Sequence, residues 1–153
     1  MKKIYHITWV TSNSRVSERM KLYKVKSNNK WIFLDDKQEF HITEILKQII
    51  VELNLEIFAY NICNNHIHII LISEEKELSK YIWKLKWKST KLYKDLHNIE
   101  GKINIWGQKF NYTIIENKIQ LFNTINYVKN NRQKHSLKEN KLLKIDFCKK
   151  IIT

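Results

Sequence analysis

Two runs rich in β-branched and aromatic residues, LEIFAYNIC (55–63) and HIHIILIS (66–73), stand on either side of the dipeptide Asn64-Asn65. This constrains the fold more than anything else in the chain. Both runs read as strands, and so short a connection makes them an antiparallel hairpin. Asparagine suits the connection because it tolerates positive φ.

The 153 residues include no proline and only two glycines, so other boundaries are read from polar clusters and changes of period. KIYHITWV (3–10) reads as a first strand, and a mobile basic loop is expected over 11–30. From Asp35 to about Leu53, acidic residues precede Ile42, Ile45, Leu46, Ile49 and Leu53 at helical spacing. A second helix is expected from about Glu75 to His97, with a core stripe of Leu78, Tyr81, Ile82, Leu85, Ser89, Leu92 and Leu96. FNYTII (110–115) supplies a fourth strand. Asn117 is then a suitable cap for a third helix, before a basic, partly helical tail from about residue 134. Strand, helix, two strands, helix, strand is the ferredoxin-like βαββαβ order: an α+β domain with an antiparallel sheet and two helices on one face. The additional C-terminal helix completes a single domain spanning 1–153.

Lys and Arg outnumber Asp and Glu by 28 to 15, a formal net charge of +13 that attracts polyanions. AT-rich coding would favour Lys, Asn and Ile, but also Glu, so it does not account for the imbalance. Cys63 and Cys148 form no CxxC pair, which argues against a disulfide framework or zinc knuckle and fits a reducing cytoplasm. No apolar run approaches the roughly 20 residues of a membrane span, so the chain is expected to be soluble and not membrane-bound.

Three groups of residues carry candidate chemistry. Alternation along a strand puts His66 and His68 on one face, where both imidazoles can meet one cation; hydrogen-bonded core histidines are the plainer reading. On the third helix, Leu121, Ile125 and Val128 form the core stripe, and Tyr127 lies off it with Asn123, Asn131 and Lys134. Tyr127 and Asn131 are i and i+4, so phenol and amide are expected to project together. On the second helix Lys80, Lys84, Lys88, Lys91 and Lys94 lie opposite the core with Trp83 and Trp87 among them, a combination suited to stacking bases and neutralising phosphates, or equally to a solvated lysine face whose tryptophans cover a neighbouring segment. These residues, with Arg132 and Lys134, are the candidate DNA contacts.

Together the segments resemble the HUH single-tyrosine transposases, most closely the REP-associated tyrosine transposases. YHITWV resembles that family's opening strand, IFLDD its lead into the first helix and FAYNICNNHIHIILI the strand pair with the His-hydrophobic-His motif. WGQKF is similar to the segment before its last strand, and INYVKNNRQKHSL to its nucleophile helix. The resemblance implies that His66 and His68 bind a divalent metal, Mg²⁺ or Mn²⁺, that Asn131 is a third ligand, and that Tyr127 is the nucleophile. It further implies cleavage through a 5′-phosphotyrosine, recognition of a hairpin in single-stranded DNA, and homodimers in which many members share the nucleophile helix between subunits. This chain departs from the family pattern in having NNH where PNH is common, and NNR, with Arg132, where NNP is common.

A non-catalytic single-strand binder on the same scaffold is the alternative from another class. A relaxase or replication initiator would use similar chemistry, but such catalytic domains are usually larger. The repeated HIT (6–8 and 41–43) suggests a 2H phosphoesterase, yet the second copy lies in a helical pattern that would separate its side chains. His6, on the first strand, remains a candidate neighbour of the metal pair.

Overall fold

The computed structural model describes residues 1–12, 22 and 33–145. Most of the loop expected at 11–30, and the end of the basic tail (146–153), lie outside the described residues. The elements are β1 (Lys2–Val10), α1 (Asp36–Glu52), β2 (Glu56–Cys63), β3 (His66–Glu74), α2 (Glu75–Leu96), β4 (Asn111–Ile115), α3 (Lys118–Lys129), a short α4 (Asn131–Lys134) and a 3₁₀ turn at Lys141–Leu143. The four strands form one antiparallel sheet in the order β2-β3-β1-β4, which is the expected ferredoxin-like arrangement.

Alternation gives each central strand two faces. Tyr5, Ile7 and Trp9 of β1 and Ile67, Ile69 and Leu71 of β3 join Ile42, Ile45, Leu46 and Ile49 of α1 and Leu78, Ile82 and Leu85 of α2 in the main core. On the opposite face Ala59, Ile70 and Ile115 receive Val128 of α3, with Leu121 and Ile125 packed beside it. A bulge at Phe58 on β2 helps turn Ala59 toward this second face.

Local capping sets the helix starts. Asp35 accepts from the Gln38 N–H while the Gln38 side chain accepts from the Asp35 N–H, a complete capping box at α1. Asn117 caps α3 by accepting from the Gln120 N–H at 2.8 Å.

Two local expectations differ from the structure. Among the described non-glycine residues only Asn54, Asn98 and Ser136 have positive φ, so the Asn64-Asn65 turn closes without it. Its carbonyls instead accept from neighbouring segments, Asn64 O from the Leu34 N–H at 2.6 Å and Asn65 O from the Thr11 N–H at 2.9 Å. The buried stripe of α2 runs Leu78, Ile82, Leu85, Ser89 and Tyr93, because steps of three and four lead to Tyr93; Leu92 and Leu96 fall outside it, and Tyr81 is half-buried.

The two leucine positions should therefore behave differently. Leu85→Ala, in the core, should cost about 2–5 kcal/mol by the combined transfer and cavity terms. Leu96→Ala, at a site 56% exposed, should stay within about 0.5 kcal/mol of wild type in the same urea titration. Equal losses would contradict the observed stripe.

Candidate active site

The second sheet face ends in a cluster of polar groups. On β3, His66 and His68 both point to this face and are nearly buried. Strand register brings Cys63 opposite His66, and places Asn61 on β2 and Thr8 on β1 opposite His68. His6 lies two residues from Thr8 on the same face. The two imidazoles of β3 stand 5.0 Å apart between centroids, nearly perpendicular.

Each of these imidazoles has its Nδ1 engaged. His66 Nδ1 donates to Asn65 Oδ1 at 2.6 Å. His68 Nδ1 lies 3.0 Å from both Thr8 Oγ1 and His6 Nε2. Fixing one ring nitrogen orients the ring and leaves Nε2 as the nitrogen for a ligand. Burial, reinforced by the charges of His66 and His6, pushes the His68 pKa down to about 3, so its ring is neutral at physiological pH.

Helix α3 brings the remaining groups. Asn61 Nδ2 donates to the carbonyls of Val128 at 2.7 Å and Lys129 at 3.2 Å, pinning its last turn to β2. Tyr127 is 42% exposed, with its ring 5.5 Å from His68 and 6.0 Å from His6 in edge-on contacts. The ammonium of Lys134 sits 4.8 Å from the centre of the Tyr127 ring. An open groove of about 670 Å³ runs from Tyr127 and His6 along Asn123, Gln120 and Asn117.

Phenol and amide do not project together as their i, i+4 spacing predicts. The helix breaks at Asn130 (φ −93°, ψ 6°), and Asn131 opens α4 fully buried while Tyr127 faces the groove. Tyr127 meets the ring of His68, and Asn131 meets His66 Nε2. Asn131 Oδ1 accepts from Cys63 Sγ–H at 3.1 Å and lies 2.9 Å from His66 Nε2, whereas Nδ2 has no partner among the described residues. Burial holds the Cys63 thiol up at about 11, so it serves Asn131 as a protonated donor rather than a thiolate.

This arrangement fits a small hard cation. With Nδ1 of His66 donating, Nε2 and Asn131 Oδ1 meet as two acceptors 2.9 Å apart. Adjacent donors around an octahedral ion with bonds of about 2.0–2.1 Å have a similar separation. Among the described residues no three His, Cys, Asp or Glu side chains converge on a metal position. Two imidazoles and an amide oxygen would make a donor set suited to a hard divalent cation such as Mg²⁺ or Mn²⁺.

Other candidate residues fall elsewhere. Trp83, Trp87 and the lysines are on α2, across the sheet from the histidines, with Lys80 paired to Glu77 and Lys88 to Glu52. Arg132 is not a surface DNA contact. It is buried, where NH1 donates to Glu39 Oε2 at 2.7 Å and to Ile62 O at 2.9 Å, and Nε donates to Lys138 O at 2.9 Å. Sequence reasoning missed Thr8, Asn61, Asn65, Glu39 and His135, whose ring lies 4.8 Å from His66. Strand alternation could have found Thr8, two residues from His6, but nothing local marked Glu39 as a partner for a residue 93 positions away.

The chain matches the model of the family described as transposase IS200 like over residues 2–131. A REP-associated tyrosine transposase solved bound to a REP hairpin superposes with a TM-score of 0.55 at 17% identity, covering 87% of this chain and 68% of its own. A protein from Deinococcus radiodurans R1 named as a transposase gives 0.56 at 17%, covering 85% and 91%. At such identity these likenesses bear on the fold. No curated protein matches the chain.

The buried ion pair yields a test with a defined sign. Arg132→Met strands the Glu39 carboxylate without its cation and should cost about 3–5 kcal/mol at pH 7. Burial already pushes the Glu39 carboxyl above its ordinary value, and the guanidinium opposes that shift. Without Arg132 the native state binds the Glu39 proton more tightly than the unfolded chain does. The variant should therefore regain stability as pH falls from 7 toward 5, relative to wild type. A deficit independent of pH in parallel urea titrations would contradict the role assigned to the pair.

Proposed function

The chain belongs to the IS200-like transposase family, and from that premise we propose that it cuts and rejoins single-stranded DNA with Tyr127 as its nucleophile. The observation that carries this reading is the meeting of Tyr127 with His68, and of Asn131 with His66, in one cluster at the end of an open groove. His66, His68 and Asn131 would hold the divalent cation, Mg²⁺ or Mn²⁺. When bound, it would neutralise and polarise the oxygens of the scissile phosphate.

Tyr127 Oη attacks phosphorus, forming a phosphotyrosine bond to the 5′ side as the bond to the 3′ oxygen breaks and that oxygen leaves as a 3′-hydroxyl. Attack by a 3′-hydroxyl on the phosphotyrosine reverses the step and reseals a strand. One phosphodiester is exchanged for another, so no nucleotide cofactor is required. Exposure of Tyr127 leaves room for a DNA strand, while Lys134 supplies a cation beside the phosphate that the ring approaches. His6 and Thr8 orient His68, and Asn65 orients His66, so these three are positioning residues.

The hairpin carried by the REP-associated neighbour supports hairpin-flanked DNA as the substrate of this chain. A homodimer is the assembly that the family resemblance implies. Both halves of the proposed site lie on one chain here, which favours assembly without a helix from a second subunit. No helix among the described residues is long and apolar enough to cross a membrane, in keeping with a DNA-processing role in the cytoplasm.

Purified protein mixed with labelled hairpin-bearing single strands and Mg²⁺ or Mn²⁺ should give an adduct that survives SDS. Tyr127→Phe and EDTA should each abolish it, and His66→Ala should reduce it at least tenfold. Tight DNA binding with no adduct on hairpins flanking the chain's own gene, in either metal, would replace the transposase mechanism with a non-catalytic single-strand binder.

A further inference from the structure

A second groove, of about 590 Å³, lies between α2 and the segment leading into β4, across the sheet from the histidine cluster. Trp83 and Trp87, one turn apart, form its outer wall with rings 5.6 Å apart and only 3° from parallel. They are 61% and 47% exposed, whereas Trp106 deeper in the same groove is 3% exposed and donates its indole N–H to Ser89 Oγ. Indole is normally among the more buried side chains, so a flat exposed pair beside an already filled core is suited to a ligand with its own flat face.

Charge narrows that ligand. None of the residues lining the groove is acidic. Lys86 is tethered through Nζ to the carbonyls of Gln108 and Lys109, and Lys91 places its ammonium 5.5 Å from the Trp87 ring. A flat, apolar ligand surrounded by negative charge matches an unpaired base within a nucleic-acid strand. A duplex cannot satisfy the wall, since the flat faces of its bases are stacked internally.

The groove borders the edge strand that separates it from the proposed catalytic face. Phe110 lines the groove immediately before β4, and Asn111 pairs with Thr8, whose hydroxyl contacts His68. β4 is an edge strand, and Asn111, Tyr112 and Thr113 are exposed, so a strand held at the tryptophans can pass over that edge toward Tyr127.

We propose that the Trp83–Trp87 groove is an anchoring subsite for an unpaired base of single-stranded DNA, outside the catalytic centre. It rests on the reading of the chain as a single-strand DNA enzyme, but its binding energy requires no metal. The full-length protein in EDTA, titrated into fluorescein-labelled dT20 and followed by anisotropy, reads DNA binding without the metal. Loss of stacking should weaken dT20 binding about 5- to 150-fold in Trp83→Ala/Trp87→Ala. Trp83→Phe/Trp87→Phe should retain most of the affinity, and binding to a blunt duplex of equal length should change less than about twofold. Matching thermal unfolding of wild type and the alanine variant verifies that the variant is folded.

Unchanged dT20 affinity, an equal loss for duplex and single strand, or a change in oligomeric state in place of affinity would each overturn the subsite. If no adduct forms with any protein while dT20 binding still falls, the proposed chemistry fails and the subsite stands. If adducts form and dT20 binding is unaffected, the reverse holds.

Discussion

Asn61 donates its amide to the last carbonyls of α3, and Arg132, just past the helix break, ties α4 to α1 through Glu39 and to β2 through Ile62. Tyr127 immediately precedes the first anchor, and Asn131 lies between the two. The docking of one helix end therefore decides whether the histidines of β3 face a phenol and an amide or open solvent. Apolar contact of Leu121, Ile125 and Val128 with the second sheet face supplies the adhesion, and the polar anchors supply register. A shift along β2 would leave buried carbonyls and a buried carboxylate without partners, a larger penalty than sliding apolar surface alone would carry.

The same economy governs the cluster. Thr8, His6 and Asn65 occupy the Nδ1 atoms, Cys63 donates to Asn131, and the amide nitrogen of Asn131 is the buried polar atom left over. Such an orphan costs about 1–3 kcal/mol, and a functional demand on the other end of the amide is a sufficient reason to tolerate it. His68 is held neutral by burial, so a cation does not have to compete with a proton for it at physiological pH.

Much of this was readable from sequence because it rests on short-range rules. Period-2 alternation put His66 and His68 on one face, helical spacing found the stripes of α1 and α3, and Asp35 and Asn117 marked their starts. Failures occurred where distant segments took over. The Asn64-Asn65 turn closes without positive φ, its carbonyls held by Leu34 and Thr11, and Arg132 looks like a surface cation until Glu39 arrives from α1. The i, i+4 pairing of Tyr127 and Asn131 assumed one continuous helix, but the break at Asn130 sends the amide inward and leaves the phenol at the groove. The NNR departure thus has a structural content: where a proline would stiffen the chain, an arginine anchors it.

The central claim is that one chain builds the whole site. Mixing Tyr127→Phe protein with His66→Ala protein tests it directly, because each variant keeps the half that the other lacks. With hairpin-bearing single-stranded DNA and Mn²⁺, under conditions where wild type forms an SDS-resistant adduct, the mixture should yield no more adduct than the separate variants combined. Recovery of adduct well above that sum would mean that Tyr127 of one subunit meets the histidines of another, contradicting a site assembled within the chain.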